Sequence, residues 1–443
     1  MAATIDPSLS GLEMHKNLNP QGAVIDEIEG LIRVYKDGRV ERLPIVPSVT
    51  CALAPDMGVT SRDIVLDKFT NIWARFYVPI LCQSTKLPLV VYFHGGGFCV
   101  GSAAWSCYHE FLATLAKKAG CIIMSVNYRL APENPLPAAY EDGFTSLMWL
   151  KQQATSSCGG SVDWLSRQCN FSSIFLAGDS AGANIAHNVA LRLGNSNNKV
   201  ATLKPLTFKG TILIQPFFGG EARTNSEKYL AQPPRSALSL AASDTYWRLA
   251  LPRGSNRDHP WSNPMSKGST ELEQYCGLLP LPTLVCISEM DILKDRNLEF
   301  CSALGRTDKR VEHVMYKGVG HAFQILSIFK TREKKQRYEF EQARENEDIS
   351  GHGTVKWHRP EDAKSIGCGY GACSDDTMEF VLFVLRSDGV GGNGGGSQRL
   401  MEMRLNNGVL LLLAVLLNWT TVAFLFPFYR VETMLFFMTI LLL

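Results

Sequence analysis

Six short, near-continuously apolar runs punctuate the middle of the chain: Leu87–Phe93, Cys121–Val126, Ile174–Ala177, Thr211–Ile214, Thr283–Ile287 and Val311–Tyr316. A strand with one wet face alternates apolar and polar residues, whereas a strand covered on both faces does not, so these runs predict strands of a buried parallel sheet. Between them, residues 104–119, 138–154, 181–193 and 295–304 carry apolar positions at helical spacing. Strand and helix in alternation predict an α/β fold, a mostly parallel sheet wound with helices on both faces. Residues 1–60 and 225–275 fit no regular alternation. The second of these holds Tyr246, Trp247 and Trp261 and, with the N-terminal segment, is expected to form a cap over the site.

The pattern changes after residue 329. From Lys330 to Asp348 twelve of nineteen residues are charged with mixed sign, which reads as a solvated helix or linker, and the glycine-rich stretch VGGNGGGS at 390–397 extends that linker to residue 404. Leu405 to Tyr429 then runs 25 residues without a charged side chain. That length predicts a transmembrane helix across ~30 Å of hydrocarbon, with an apolar end at 430–443. Arg399 and Arg404 before it and Arg430 after it give a basic excess that puts its N-terminal side in the cytoplasm.

Composition narrows the function classes. Of 443 residues 46% are hydrophobic and 19% charged, as in a globular protein, and a formal charge of +2 supplies no field for a nucleic-acid partner. Twelve cysteines include no C-x-x-C pair, which argues against zinc, and Cys121 and Cys286 sit inside apolar runs as small buried hydrophobes. The first twenty residues have neither a basic n-region nor an apolar core, so no secretory signal is expected and the catalytic region is expected to face the cytoplasm.

Two glycine-bearing motifs supply the candidate chemistry. The stretch FHGGGFCVG, Phe93 to Gly101, follows the first run. Consecutive glycines end a strand and can turn several N–H groups toward one point, which is what a developing oxyanion needs. Gly178-Asp179-Ser180-Ala181-Gly182 matches G-x-S-x-G between a strand run and a helical run, the context of a nucleophile elbow. In this composition G-x-S-x-G arises by chance with an expectation of roughly 0.2 and HGGG with about 0.005, so the pair is specific where either alone is weaker.

A serine hydroxyl needs a base, and the base needs an orienting acid. Asp291 lies just past the Thr283 run, with Glu289 and Asp295 as rival carboxylates. His321 lies in a glycine-flanked loop past the last run, with His313 as its rival. The order Ser180, Asp291, His321 suits an α/β-hydrolase triad at the C-terminal ends of strands. His94 is expected to brace the glycine loop, and His187, on the helix after Ser180, to be structural.

Residues 87–326 resemble the hormone-sensitive-lipase branch of the α/β-hydrolases, and within it the plant carboxylesterases related to the gibberellin receptors. The resemblance is carried by HGGGF (94–98), NYRLAPENPLPAAYED (127–142), GDSAGANIAH (178–187), DILKD (291–295) and GVGHAF (318–323). It implies a hydrolase domain over residues 1–329, Ser180 as nucleophile, Asp291 as orienting acid and His321 as general base. It further implies an oxyanion hole from the N–H groups of Gly95, Gly96, Gly97 and Ala181, and hydrolysis of a small ester without cofactor or metal. The receptors on this fold, the alternative reading, have lost the histidine that this chain keeps. Members of the family end soon after that histidine; here a tail of about 115 residues follows, and membrane association is expected through it.

Overall fold

The structure is a computed structural model describing residues 22–80, 86–156, 163–194, 203–231, 236–266, 281–306 and 311–326, and two three-residue strands near residue 405. The chain divides into two units, Met1–Asp388 and Gly389–Leu443.

In the first unit, β1 (Val24–Ile28), β2 (Ile32–Tyr35) and β3 (Val40–Arg42) form a small antiparallel sheet. The main sheet has eight strands: β4 (Val59–Asp67), β5 (Ile72–Pro79), β6 (Leu87–Phe93), β7 (Ile122–Asn127), β8 (Cys169–Asp179), β9 (Phe208–Ile214), β10 (Thr283–Ser288) and β11 (Val311–Tyr316). Their spatial order is β11-β10-β9-β8-β6-β7-β5-β4. Pairing is parallel from β11 through to β7, while β5 runs antiparallel to both β7 and β4. From β6 the chain steps outward to β7 and then crosses back to β8 on the other side of β6. That reversal opens a crevice at the C-terminal ends of β6 and β8, where sheets of this kind hold their sites.

The central strands are dry on both faces, as the continuous runs imply, while the edge strand β11 exposes Glu312 and His313. On β6, Leu89, Val91 and Phe93 join one core layer, with α2 (Ala138–Thr155) and α4 (Ala181–Gly194). Val90 and Tyr92 join the other, against α1 (Ser106–Ala119). A short helix α3 (Asp163–Gln168) leads into β8. Five of the six apolar runs lie within strands and the sixth overruns its strand only at Cys121; three of the four helical patterns lie within helices, and the fourth begins two residues before α1.

The strands without a sequence signal are β1–β3, β4 and β5. Strand β4 lies at the sheet edge with most of its residues partly or fully exposed, so only scattered apolar positions mark it. Strand β5 is buried, but Arg75 interrupts its run. That guanidinium is 1% exposed because Asp63 on β4 holds it at 2.7 and 2.8 Å, with Val49 O and Thr50 O as further acceptors. A fully paired arginine inside a sheet looks, in one dimension, like a break.

The 225–275 region is more regular than its sequence suggests. It contains α5 (Asn225–Tyr229), closed by a capping box between Thr224 and Glu227, and α6 (Leu240–Ala250), capped by Ser239. The cap expectation holds at these helices. Tyr246 of α6 rests on the glycine loop, and α6 also meets β1, where Arg248 pairs with Asp26 at 2.5 Å. Trp247 is fully buried, stacked on Phe217 at 4.6 Å and 5.4 Å from Phe98. From β3, Arg42 donates to Cys99 O and Ala131 O and pairs with Glu133, so the N-terminal sheet clamps the far limb of the same loop.

In the second unit, β12 (Met403–Leu405) and β13 (Gly408–Leu410) pair antiparallel, with Leu405 opposite Gly408. The expected membrane helix therefore does not start at Leu405, where the backbone is extended. The rest of Leu405–Tyr429, and most of the 330–404 linker, lie outside the described residues. Among the described residues no helix is long and apolar enough to cross a membrane.

The cap helix should depend on its tryptophan far more than on its ion pair. Trp247→Ala should lower unfolding free energy by about 3–5 kcal/mol, whereas Arg248→Ala, whose side chain is 57% exposed, should cost less than about 1 kcal/mol. Urea unfolding of the two variants measures both.

Candidate active site

Ser180 sits at the junction of β8 and α4 with φ 53°, in the left-handed region that costs a non-glycine residue about 1–3 kcal/mol. Its surroundings hold it there. Its N–H donates to Ile214 O at 2.8 Å, and its carbonyl accepts from Phe217 N at 3.0 Å and Asn184 N at 3.1 Å. The flanking glycines are steric requirements: a Cβ on Gly182 would fall 1.9 Å from Phe93 O, and one on Gly178 would fall 2.4 Å from the Gly182 carbonyl carbon. Strand β6 and helix α4 thus touch backbone to backbone, and the serine hydroxyl emerges at the first turn of α4, where the helix dipole favours negative charge.

The candidate acid and base come to that hydroxyl from two separate turns. Asp291 follows β10; its Oδ1 accepts from Leu293 N at 3.1 Å. His321 follows β11, with Nδ1 2.7 Å from Asp291 Oδ2 and Nε2 2.9 Å from Ser180 Oγ. Asp291 can only accept, so Nδ1 carries the proton and Nε2 is left with its lone pair toward the serine O–H. All three side chains are at least nine-tenths buried. The rivals are placed elsewhere. Glu289 accepts from Gly318 N at 2.8 Å, Asp295 from Ser226 N at 2.7 Å, and His313 lies on an exposed position of β11.

The glycine loop lies beside this array. Gly96 has φ 112° and a Cβ there would meet Val100 O at 2.1 Å; Gly97 has φ 57° and a Cβ would meet Tyr246 Cγ at 2.2 Å. The loop is therefore closed on itself and roofed by the cap helix, in a conformation open only to glycine. Gly95 differs from the expectation that it offers a donor to substrate. Its N–H already donates to Tyr108 Oη at 2.8 Å and Asp179 Oδ1 at 3.0 Å. It acts as the loop's root, while the N–H groups of Gly96, Gly97 and Ala181 donate to no group among the described residues.

His94 braces the loop as expected. Its ring stacks on Tyr128 at 4.3 Å, its Nδ1 lies 2.8 Å from Gly95 O, and burial pushes its pKa down to about 4, so it is neutral. His187 is packed edge-on to Phe218 and Phe300 inside the core, and burial depresses it to about 3.

Two features had no signal in the sequence. Asp179, beside the nucleophile, is a buried carboxylate that accepts from Tyr92 Oη at 2.8 Å and Tyr108 Oη at 2.9 Å as well as from Gly95. Burial raises its pKa to about 6 against the opposing pull of those hydrogen bonds. Gln215, just past β9, accepts from Ala322 N at 2.7 Å. Asp179 sits inside a motif whose spacing says nothing about what its side chain meets, and Gln215 lies in no motif at all. Among the described residues no group of three or more His, Cys, Asp or Glu side chains is placed to hold a metal.

A buried Ser–His–Asp array on a strand–turn–helix elbow, at the reversal point of a mostly parallel sheet, defines a serine hydrolase of the α/β-hydrolase fold. A family model for that fold matches residues 90–325. The chain is 52% identical over 316 residues to probable carboxylesterase 6 of Arabidopsis thaliana, covering 70% of this chain and 87% of that one. It is 36% identical over 310 residues to a 2-hydroxyisoflavanone dehydratase of Glycyrrhiza echinata, covering 68% and 89%. Among solved structures it is similar to EstE1, a thermostable carboxylesterase cloned from a metagenomic library, with TM-score 0.50, 26% identity, and 66% and 86% of the two chains covered. The chain belongs to the plant carboxylesterase family of the hormone-sensitive-lipase branch, and it is a serine ester hydrolase.

The raised pKa of Asp179 has a consequence for stability. An ordinary aspartate titrates near 4 when unfolded, so the folded state holds this proton more tightly. The contribution of Asp179 to stability is then fully present below about pH 4 and is lost as pH rises through about 6. Asp179→Asn mimics the neutral acid at every pH. Its unfolding free energy, measured in urea, should therefore rise relative to the wild type between pH 4.5 and pH 7.5; a relative fall would mean that the three hydrogen bonds outweigh burial.

Proposed function

We propose that the enzyme hydrolyses small carboxylic esters through an acyl intermediate on Ser180, with Asp291 and His321 completing the triad. The observation that carries this reading is the unbroken chain of contacts from Asp291 Oδ2 through His321 to Ser180 Oγ, at 2.7 and 2.9 Å. His321 Nε2 takes the serine proton as Oγ attacks the ester carbonyl, and the imidazolium that forms is held by Asp291. The carbonyl oxygen becomes an oxyanion and accepts from the N–H groups of Gly96, Gly97 and Ala181. Such donors are each worth about 10²–10³ in rate because they are oriented before charge develops. The imidazolium then protonates the departing alcohol as the acyl carbon–oxygen bond breaks. In the second half water attacks the acyl-serine and His321 takes its proton, then gives it to Ser180 Oγ as the acyl carbon–Oγ bond breaks and the acid leaves.

The rival reading, a receptor on this fold that does no chemistry, needs a broken triad. The base, its acid and the nucleophile are all within hydrogen-bond distance, which favours the enzyme. The narrow roof over Gly97 formed by Tyr246 supports a small acyl group next to the oxyanion donors.

Ser180→Ala and His321→Ala should each lower turnover of a short-chain aryl ester by roughly 10³–10⁶-fold with folding little changed, while His313→Ala should leave it near the wild-type rate. Incubation with an organophosphate followed by peptide mapping should place the adduct on Ser180. An adduct on another residue, or full turnover in His321→Ala, would sink the assignment.

A further inference from the structure

Three non-glycine residues with left-handed backbone meet at one place: Ser180 at φ 53°, Gln215 at 48° and Ala322, next to His321, at 60°. Such conformations persist only where the surroundings enforce them, and here the enforcing contacts converge on the end of β9. Ile214 O accepts from Ser180 N at 2.8 Å, and Gln215 N donates to Cys286 O at 2.8 Å. The Gln215 side chain, 1% exposed, donates from Nε2 to Ser288 Oγ and accepts at Oε1 from Ala322 N at 2.7 Å. Ser288 in turn accepts, through its carbonyl, from Asp291 N at 3.3 Å.

One buried amide therefore ties the turn bearing the acid to the turn bearing the base, from the residue adjoining the acceptor of the nucleophile's own N–H. The chemistry of the position is selective. It needs one donor and one acceptor on the same planar group, which glutamine supplies and leucine, methionine or glutamate does not.

We propose that Gln215 is a positioning residue: its amide fixes the Asp291 and His321 turns relative to Ser180 and so sets the two triad distances. It touches no reacting atom, and its role rests on the reading of Ser180, Asp291 and His321 as the triad. A misplacement of catalytic groups by about 1 Å costs about 10²-fold in rate, so a lost tether should appear in kcat and leave ground-state binding largely alone.

The test compares Gln215→Met, Gln215→Glu and Ser288→Ala with the wild type, using a short-chain aryl ester and the downfield proton NMR signal of His321 Nδ1–H. Gln215→Met should lower kcat by about 10–100-fold with KM within about threefold, and should shift or broaden the Nδ1–H signal. Gln215→Glu keeps the acceptor for Ala322 N and should recover part of the loss; Ser288→Ala, which removes only the partner of Nε2, should lose several-fold in kcat. Should Gln215→Met fail to fold, the other two variants decide. Near-wild-type kcat with an unmoved Nδ1–H signal in the folded variants, even with a lowered Tm, overturns the proposal and leaves Gln215 a structural residue. Ser180→Ala, run alongside, separates the levels: if it stays active the triad reading itself fails, and if it is inactive while Gln215→Met is fully active only the positioning role fails.

Discussion

The contact between the Phe93 carbonyl and the Cα of Gly182 fixes more of this protein than any other. With 1.9 Å available where a Cβ would stand, strand β6 and helix α4 meet without side chains between them. That closeness forces the sharp turn at Ser180, and the turn lifts the hydroxyl out at the first turn of α4. It also brings the loop after Phe93, with Gly96 and Gly97, alongside the N–H of Ala181. Ser180 Oγ and these N–H groups are thus placed by one packing constraint, and the distances among Ser180, His321 and Asp291 follow from where β10 and β11 end.

Burial with full pairing is the second organising rule. Asp179, Arg75 and Gln215 are each at most 1% exposed and each is surrounded by partners of the right kind. An unpaired polar group at such depth costs several kcal/mol, so these networks tolerate few alternative arrangements. Asp179 and its two tyrosine hydroxyls root the glycine loop at Gly95. Arg42 holds the opposite limb through Cys99 O, and Tyr246 covers the middle. The loop is tied at both ends and roofed, which fixes the directions of the Gly96 and Gly97 N–H groups.

The cap shows how a scaffold is specialised. Helix α6 packs through Trp247 on Phe217 and Phe98, which belong to the segments after β9 and β6. Because β1 meets the same helix, the N-terminal sheet and the 225–266 segment form one cover over the strand ends.

The sequence by itself determined the parallel core of the sheet, because strands buried on both faces must be apolar throughout, and it pointed to Ser180, Asp291 and His321, which follow β8, β10 and β11 and lie within hydrogen-bond distance of one another. The glycines of both motifs were legible because no side chain fits there: Gly96 and Gly97 have positive φ, and a Cβ on Gly95, Gly178 or Gly182 would meet neighbouring atoms within 2.7 Å. Strands β4 and β5 were not legible, since an exposed edge and a paired Arg75 erase the periodicity that marks a strand. Nor could spacing tell that Gly95 turns its N–H to Tyr108 and Asp179, or that Gln215 reaches Ala322, 107 residues away. Those pairings are set by distances across the sheet, and only the tertiary structure brings the partners within hydrogen-bond reach.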